Sequence, residues 1–129
     1  MSRVLLDTQA LLWFLLDDPR LSRAALAMIS DANNQVLVSP ASLWEVGIKI
    51  SIGKYSLPEP FEAFMDRELA ENSFVLLSIQ TRHVSALTSL AHHHRDPFDR
   101  LIIAQAMAEG IPLVSADAAF ASYPVTVIW

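Results

Sequence analysis

The chain has 129 residues, no cysteine, and a formal net charge of −5 from 9 basic and 14 acidic side chains. The absence of cysteine excludes disulfides, thiolate metal sites and cysteine nucleophiles, and it agrees with a reducing compartment. The acidic balance argues against binding of nucleic acid by bulk charge, because such proteins neutralise many phosphates with Lys and Arg.

The length fits one ordinary domain, and no Gly/Ser-rich or Pro-rich linker interrupts it, so we expect a single domain over residues 1–129. The longest apolar run, residues 10–16, is far shorter than the ~20 residues of a membrane-spanning helix. The first residues resemble a signal peptide, but Asp7 interrupts their apolar part and no cleavage site follows. We therefore predict a cytoplasmic protein without a membrane partner. The high apolar content, 53%, predicts self-association or a protein partner.

The first half of the chain predicts strands that alternate with helices. Cap residues mark the helix starts, with Asp7 before the first helix, Ser22 at the second and Ser39-Pro40 at the third, which Gly53 closes. In chain order the pattern predicts a strand over 3–6, helices over 8–16 and 22–32, a strand over 35–38, and helices over 41–52 and 61–72. The apolar side chains of the helix over 61–72 fit a core or a dimer surface better than a base-stacking platform; they are Phe61, Phe64, Met65 and Leu69.

The second half continues the alternation. Asp96-Pro97 is a cap followed by proline and predicts a helix start, and Gly110 predicts the end of that helix. The predicted elements are a strand over 74–77, helices over 81–91 and 97–109, a strand over 112–115, a helical turn at 118–121 and a strand over 125–128. The histidines at 92–94 fit a solvated loop, because consecutive side chains point in different directions and metal-ligand spacing is absent.

Strands that are apolar throughout and alternate with helices predict a parallel sheet of about five strands covered on both faces. The fold class is then α/β, a three-layer α/β/α sandwich. In such sheets ligands bind beyond the carboxyl ends of the strands. Asp7 and Asp117 follow predicted strands, Glu45 lies in the first half of a helix leaving the same edge, and Asp99 lies at a helix start. We therefore expect these four acids to converge.

Converging carboxylates raise one another's pKa unless a cation or protons neutralise them, and oxygen ligands suit Mg²⁺. Each acid also has an ordinary structural interpretation. Asp7 and Asp117 fit helix caps, and Asp99 could close a capping-box-like arrangement with Asp96. Glu45 has Lys49 four residues later, the order of a helix-surface ion pair. Both interpretations stay open for each acid at this point.

Three basic residues lie within a few positions of a site acid and are candidate contacts to a nucleic-acid phosphate. They are Lys49, Arg95 and Arg100.

Several motifs together resemble the PIN-domain family, and within it the VapC-type toxins of toxin–antitoxin pairs. The motifs are LLDTQALLW, SLWEVGIK, HHRDPFDRLIIAQAMAEGIPLVSAD and the closing F-x-x-Y-P-V. The resemblance covers nearly the whole chain. It implies that the acids at positions 7, 45, 99 and 117 are the metal ligands and catalytic residues, with Asp96 as an accessory acid. Thr8 and Ser115 would support them by hydrogen bonding.

The resemblance further implies an endoribonuclease dependent on Mg²⁺ or Mn²⁺ that forms a homodimer and is inhibited by a cognate antitoxin protein. Two metals can activate a water and stabilise the leaving oxygen, so no side-chain nucleophile is needed. An alternative is a PIN-like module that binds RNA or protein without cleavage. A phospho-acceptor receiver domain is disfavoured, since no Lys follows Pro112.

Overall fold

The computed structural model describes residues 2–129 and contains one five-stranded parallel sheet. The strands are β1 Arg3–Leu6, β2 Gln35–Val38, β3 Val75–Leu76, β4 Leu113–Val114 and β5 Val127–Ile128. They lie in the order β3-β2-β1-β4-β5, so the first strand is central. The predicted parallel sheet is confirmed.

Six α-helices and one 3₁₀ helix connect the strands. They are α1 Thr8–Leu15, α2 Arg23–Ser30, α3 Pro40–Ser51, α4 Phe61–Glu71, α5 Thr81–Thr88, α6 Pro97–Glu109 and the 3₁₀ helix Ala118–Ser122. The predicted caps form: the Ser22 hydroxyl accepts from the Ala25 N–H, and the Ser39 hydroxyl accepts from the Ala41 N–H. Gly110 ends α6 at φ 67°, in the left-handed region that glycine tolerates.

Helices cover both faces of the sheet, which confirms the three-layer sandwich. Alternate side chains of β1 point to opposite layers. Leu5 packs with Ile102 and Ile103 of α6 in one layer, while Val4 and Leu6 pack against α1 and α2 in the other. The central strand is therefore buried on both faces, as its unbroken apolar sequence predicts.

Three of the strands are shorter than predicted, and one is not buried. β3, β4 and β5 have two residues each instead of four. Val75 and Leu76 are both exposed because β3 is an edge strand, so the expectation that every strand is covered was wrong there. α5 likewise ends at Thr88, three residues before its predicted end.

The direction in which strands are added to the sheet reverses between β1 and β4. From β1 the chain adds β2 and β3 on one side, then returns to place β4 and β5 on the other. Such a reversal leaves a crevice at the carboxyl ends of the two strands that flank it, β1 and β4.

Candidate active site

Asp7 and Asp117 follow the two strands that flank this crevice. The Asp7 N–H donates to the carbonyl of Val114 in β4, which places the ends of the two strands side by side. Each carboxylate also caps a helix: Asp7 Oδ1 accepts from the Ala10 N–H at 2.8 Å, and Asp117 Oδ1 accepts from the Ala119 N–H at 2.9 Å. The predicted caps are therefore confirmed, and each residue also lines the crevice, so its role as a metal ligand stays a prediction.

Glu45 reaches the crevice from the middle of α3. Its residue is only 5% exposed, and Oε2 accepts from Lys49 Nζ at 2.9 Å. Oε1 is buried and has no hydrogen-bond partner within residues 2–129. The predicted ion pair with Lys49 is confirmed, but it lies in a polar pocket and leaves one carboxylate oxygen unsatisfied.

Asp96 and Asp99 occupy the start of α6. Asp96 Oδ1 accepts from the N–H groups of Phe98 and Asp99 at 2.8 and 2.9 Å, so its predicted cap forms. The Asp96 N–H donates to the ring of His94 rather than to the Asp99 carboxylate, so the proposed capping box was wrong. The Asp99 side chain instead faces the crevice.

The four acids converge in one cavity of about 320 Å³ at the carboxyl edge of the sheet. Its lining residues are Asp7, Thr8, Gln9, Glu45, Lys49, Asp96, Asp99, Ala116 and Asp117. Residues that are up to 110 positions apart in the chain thus form one surface, and Lys49 is the only basic residue among them.

Burial and mutual repulsion disfavour ionisation of the acids in this cavity. Burial raises the pKa of Asp7 to about 6, and the charges of Asp117 and Glu45 add to the effect, while the Ser115 hydroxyl and the Ala10 N–H oppose it. Burial likewise raises the pKa of Asp99 to about 7, with contributions from Asp96, Glu45 and Asp7. A strongly perturbed group in a cleft is typical of a functional site.

The two predicted supporting residues behave differently from each other. The Ser115 hydroxyl accepts from the Asp117 N–H at 3.0 Å and acts on Asp7, so it does support the acids. The Thr8 hydroxyl donates to Ser42 Oγ at 3.0 Å and positions α1 against α3.

The three candidate phosphate contacts also differ. Lys49 lines the acidic cavity. Arg100 donates to the carbonyls of Ala91, His94 and Leu90, and so holds the loop before α6. Arg95 is exposed and lines a neighbouring cavity. Their role as phosphate contacts stays a prediction.

His94 is the site residue that the sequence pattern missed. Its Nε2 lies 3.2 Å from Asp99 Oδ2 and 3.0 Å from Asp117 Oδ2, so the expectation of a solvated loop was wrong for this histidine. His92 and His93 are exposed, as predicted. The sequence did hold one signal for His94, which is its position two residues before the helix cap Asp96. From that position the histidine ring can accept a hydrogen bond from the Asp96 N–H.

The residues in the cavity fit a hard divalent cation. Carboxylates supply the oxygen ligands that Mg²⁺ and Mn²⁺ prefer. The unsatisfied Oε1 of Glu45 and the raised pKa values of Asp7 and Asp99 are the signs of a site with less positive charge than its acids need. Asp7, Glu45, Asp99 and Asp117 are the residues that could hold such an ion.

A parallel sheet covered by helices on both faces, with carboxylates at the carboxyl ends of the strands where the strand order reverses, is typical of α/β proteins that bind a polar ligand at this edge. Within this class, the family model of the PIN domain matches residues 4–125, and the chain belongs to the PIN domain family. Ribonuclease VapC16 of Mycobacterium tuberculosis is 31% identical over 71 residues, which are 52% of this chain and 50% of that protein. The match thus spans half the length of this curated relative.

Solved structures share the fold over nearly the whole chain. A chain of VapBC2 from Rickettsia felis, bound to a DNA fragment from its promoter, has a TM-score of 0.73 at 18% identity, covering 98% of this chain and 97% of that chain. A toxin–antitoxin complex from Klebsiella pneumoniae gives 0.63 at 20% identity, with 94% and 92% covered. FitAcB from Neisseria gonorrhoeae gives 0.62 at 17%, with 96% and 95% covered.

Among residues 2–129, no helix is both long and apolar enough to cross a membrane.

Proposed function

We propose that the chain is a metal-dependent endoribonuclease that acts in the cytoplasm as the toxin of a toxin–antitoxin pair. The observation that carries this proposal is the convergence of Asp7, Glu45, Asp99 and Asp117 in one cavity with a single lysine. The partial match to a protein named as a ribonuclease supports the activity, and the likeness to toxin–antitoxin complexes supports the role.

The acids would hold one or two Mg²⁺ or Mn²⁺ ions, which supply an activated water and stabilise the leaving oxygen of a phosphodiester. Asp7 and Asp117 are fixed by their helix caps, so their remaining oxygens are preorganised toward the cavity. Glu45 Oε1 is free to bind an ion or to orient the attacking water, while Oε2 is held by Lys49. Lys49 is then the cation nearest to an incoming phosphate.

Incubation of the purified chain with total bacterial RNA, followed by sequencing of the new ends, tests the activity without a known target. We expect cleavage with Mg²⁺ or Mn²⁺ and none with EDTA. Asp99→Asn should lower the rate by about 10²-fold or more, because a lost ligand costs at least as much as a lost second-shell partner. Asp66→Asn, at an exposed position on α4, is the matched control and should cleave normally.

Two outcomes would redirect the proposal. Full activity in both Asp7→Asn and Asp99→Asn would reject the metal site. Binding of RNA without cleavage, even with Mn²⁺ supplied, would favour the alternative of a PIN-like binding module.

An antitoxin partner and a homodimer belong to the same proposal. Trp44 and Ile48 on α3 and Ile52 directly after it are exposed at four-residue intervals, and Trp44 is 69% exposed. Apolar stripes of this kind are typical of protein interfaces. Sedimentation of the chain alone tests the dimer, and co-purification with the product of a neighbouring reading frame tests the antitoxin.

A further inference from the structure

The ring of His94 lies between two of the acids that would bind metal. Nε2 is 3.2 Å from Asp99 Oδ2 and 3.0 Å from Asp117 Oδ2, and the three atoms lie within 4.8 Å of one another. Asp99 and Asp117 would contribute oxygen ligands to a bound Mg²⁺, and Nε2 occupies space beside both of those oxygens. By distance alone, the ring could be a third ligand or a competitor of the ion.

The other ring nitrogen decides between these roles. The Asp96 N–H donates to Nδ1 of His94 at 3.1 Å. A backbone N–H cannot accept, so Nδ1 carries the lone pair and the ring hydrogen lies on Nε2. A nitrogen that carries hydrogen has no lone pair for a metal. Nε2–H therefore donates to Asp117 Oδ2, and Nε2 also lies 3.2 Å from Asp99 Oδ2, so the ring takes the place of a cation between the two carboxylates.

The backbone around His94 is held by hydrogen bonds that do not involve its ring. The His94 N–H donates to the Tyr123 hydroxyl at 2.8 Å, and that hydroxyl donates to the Ala91 carbonyl at 2.9 Å. Arg100 holds the same segment through the Ala91 carbonyl. The His94 side chain is 17% exposed and its ring packs edge-on against Phe120, with 5.6 Å between the ring centroids, so moving the ring to solvent gives up that contact and leaves these backbone hydrogen bonds in place.

We infer that His94 is an internal competitor of the metal, whose ring must leave the space between Asp99 and Asp117 before one ion can bind both. The inference rests on the proposed metal site and adds a regulation to it. The ring lowers the affinity of the site for divalent cations. It also keeps Asp117 hydrogen-bonded when little metal is available.

Calorimetric titration of MgCl₂ into the wild-type chain, His94→Ala and His92→Ala tests the inference. His94→Ala should bind Mg²⁺ about three- to tenfold more tightly, because the ion no longer displaces hydrogen bonds to charged groups. His92→Ala is the matched control: His92 is exposed and its substitution should leave the affinity unchanged. Equal or weaker Mg²⁺ binding in His94→Ala would overturn the inference, and weaker binding would make the ring a ligand.

Nitrogen NMR of the wild-type chain with ¹⁵N-labelled histidine gives a second measurement that needs no substitution. Without metal, the His94 ring should carry its hydrogen on Nε2, and Mg²⁺ should convert it to the averaged signal of a solvent-exposed histidine. A ring whose hydrogen moves to Nδ1 when Mg²⁺ binds would be a ligand and would contradict the inference.

The two measurements separate the inference from the proposed function. Mg²⁺ binding that requires Asp7 and Asp99 but is not tightened by His94→Ala would reject the inference alone. Absence of Mg²⁺ and Mn²⁺ binding in all of the variants and in the wild type would reject both.

Discussion

Two polar clusters lie at opposite edges of the sheet, one with a single carboxylate and one with several, and they differ in how their charge is balanced. At the amino edge, Glu109 ends α6 and meets Arg3, Arg82 and the fully buried His83, whose Nε2 lies 2.8 Å from Glu109 Oε2. The hydrogen bond from His83 holds the pKa of Glu109 below its usual range against the effect of burial, and the arginines assist. At the carboxyl edge, acids mainly face other acids, and the pKa values of Asp7 and Asp99 are raised.

The comparison contrasts a carboxylate that the chain neutralises with carboxylates that it leaves short of positive charge. Both clusters remove carboxylates from water, which is costly unless a cation compensates. The chain supplies the cations at the Glu109 cluster and leaves most of the charge at the candidate site uncompensated. The candidate site therefore gives up stability that a bound ion would restore.

The largest expected effect is on catalysis at the uncompensated edge. Glu45→Gln should lower RNA cleavage by about 10²-fold or more, because it removes the unsatisfied oxygen that would face an ion or water. Cleavage rates at saturating Mn²⁺ measure the effect, with Glu71→Gln at an exposed position of α4 as the control. Near-normal rates for Glu45→Gln would remove this residue from the site.

At the compensated edge the expected effect is on stability instead. Glu109→Gln should lower the free energy of unfolding by about 2–3 kcal/mol, since it leaves the hydrogen bond of buried His83 without its charged acceptor. Urea denaturation measures the change. RNA cleavage below the midpoint should stay normal, because Glu109 lies at the other edge from the cavity. A Glu109→Gln variant that is as stable as the wild type but does not cleave RNA would contradict this account of the two edges.

The pH dependence of stability should have opposite signs at the two edges. The raised pKa of Asp99 means that the folded state holds a proton which the unfolded state releases above about pH 4, so metal-free stability falls as the pH rises to about 7. The lowered pKa of Glu109 contributes stability that is present above its usual value and is lost as the pH falls through the folded pKa.

Paired denaturation curves without metal test this contrast. The stability advantage of Asp99→Asn over wild type should grow by about 2 kcal/mol between pH 5 and pH 8, after allowance for partial exposure of the site. The deficit of Glu109→Gln should stay constant over the same range. An Asp99→Asn advantage that shrinks as the pH rises would contradict the raised pKa.

The fold could be predicted because its signals are local. Ser22, Ser39 and Asp96 cap helices within three residues of their own position, and the apolar strands need no knowledge of their partners. The convergence of Asp7 and Asp117 followed from topology, since residues after parallel strands meet at one edge. The exposure of β3 was missed because the sequence does not state which strand lies at the edge.

The balance of charge could not be predicted because it depends on distant contacts. Glu109 meets Arg3 across 106 positions of the chain, and neither residue has a neighbouring signal for the other. His94 differed in sequence from His92 and His93 only by its position two residues before the Asp96 cap. Its ring direction depends on the Asp96 N–H and on Tyr123, which lies 29 positions later.

The central claim is that the carboxyl edge lacks positive charge that a divalent cation supplies. The most direct test measures the unfolding free energy of wild type and Asp99→Asn at pH 7.5, with and without Mg²⁺ at ten times its dissociation constant for the wild type. We predict that Asp99→Asn is the more stable protein without metal, and that Mg²⁺ adds about 1.4 kcal/mol to the wild type and little to the variant. Equal stabilisation of both proteins by Mg²⁺, or a less stable Asp99→Asn without metal, would contradict the claim.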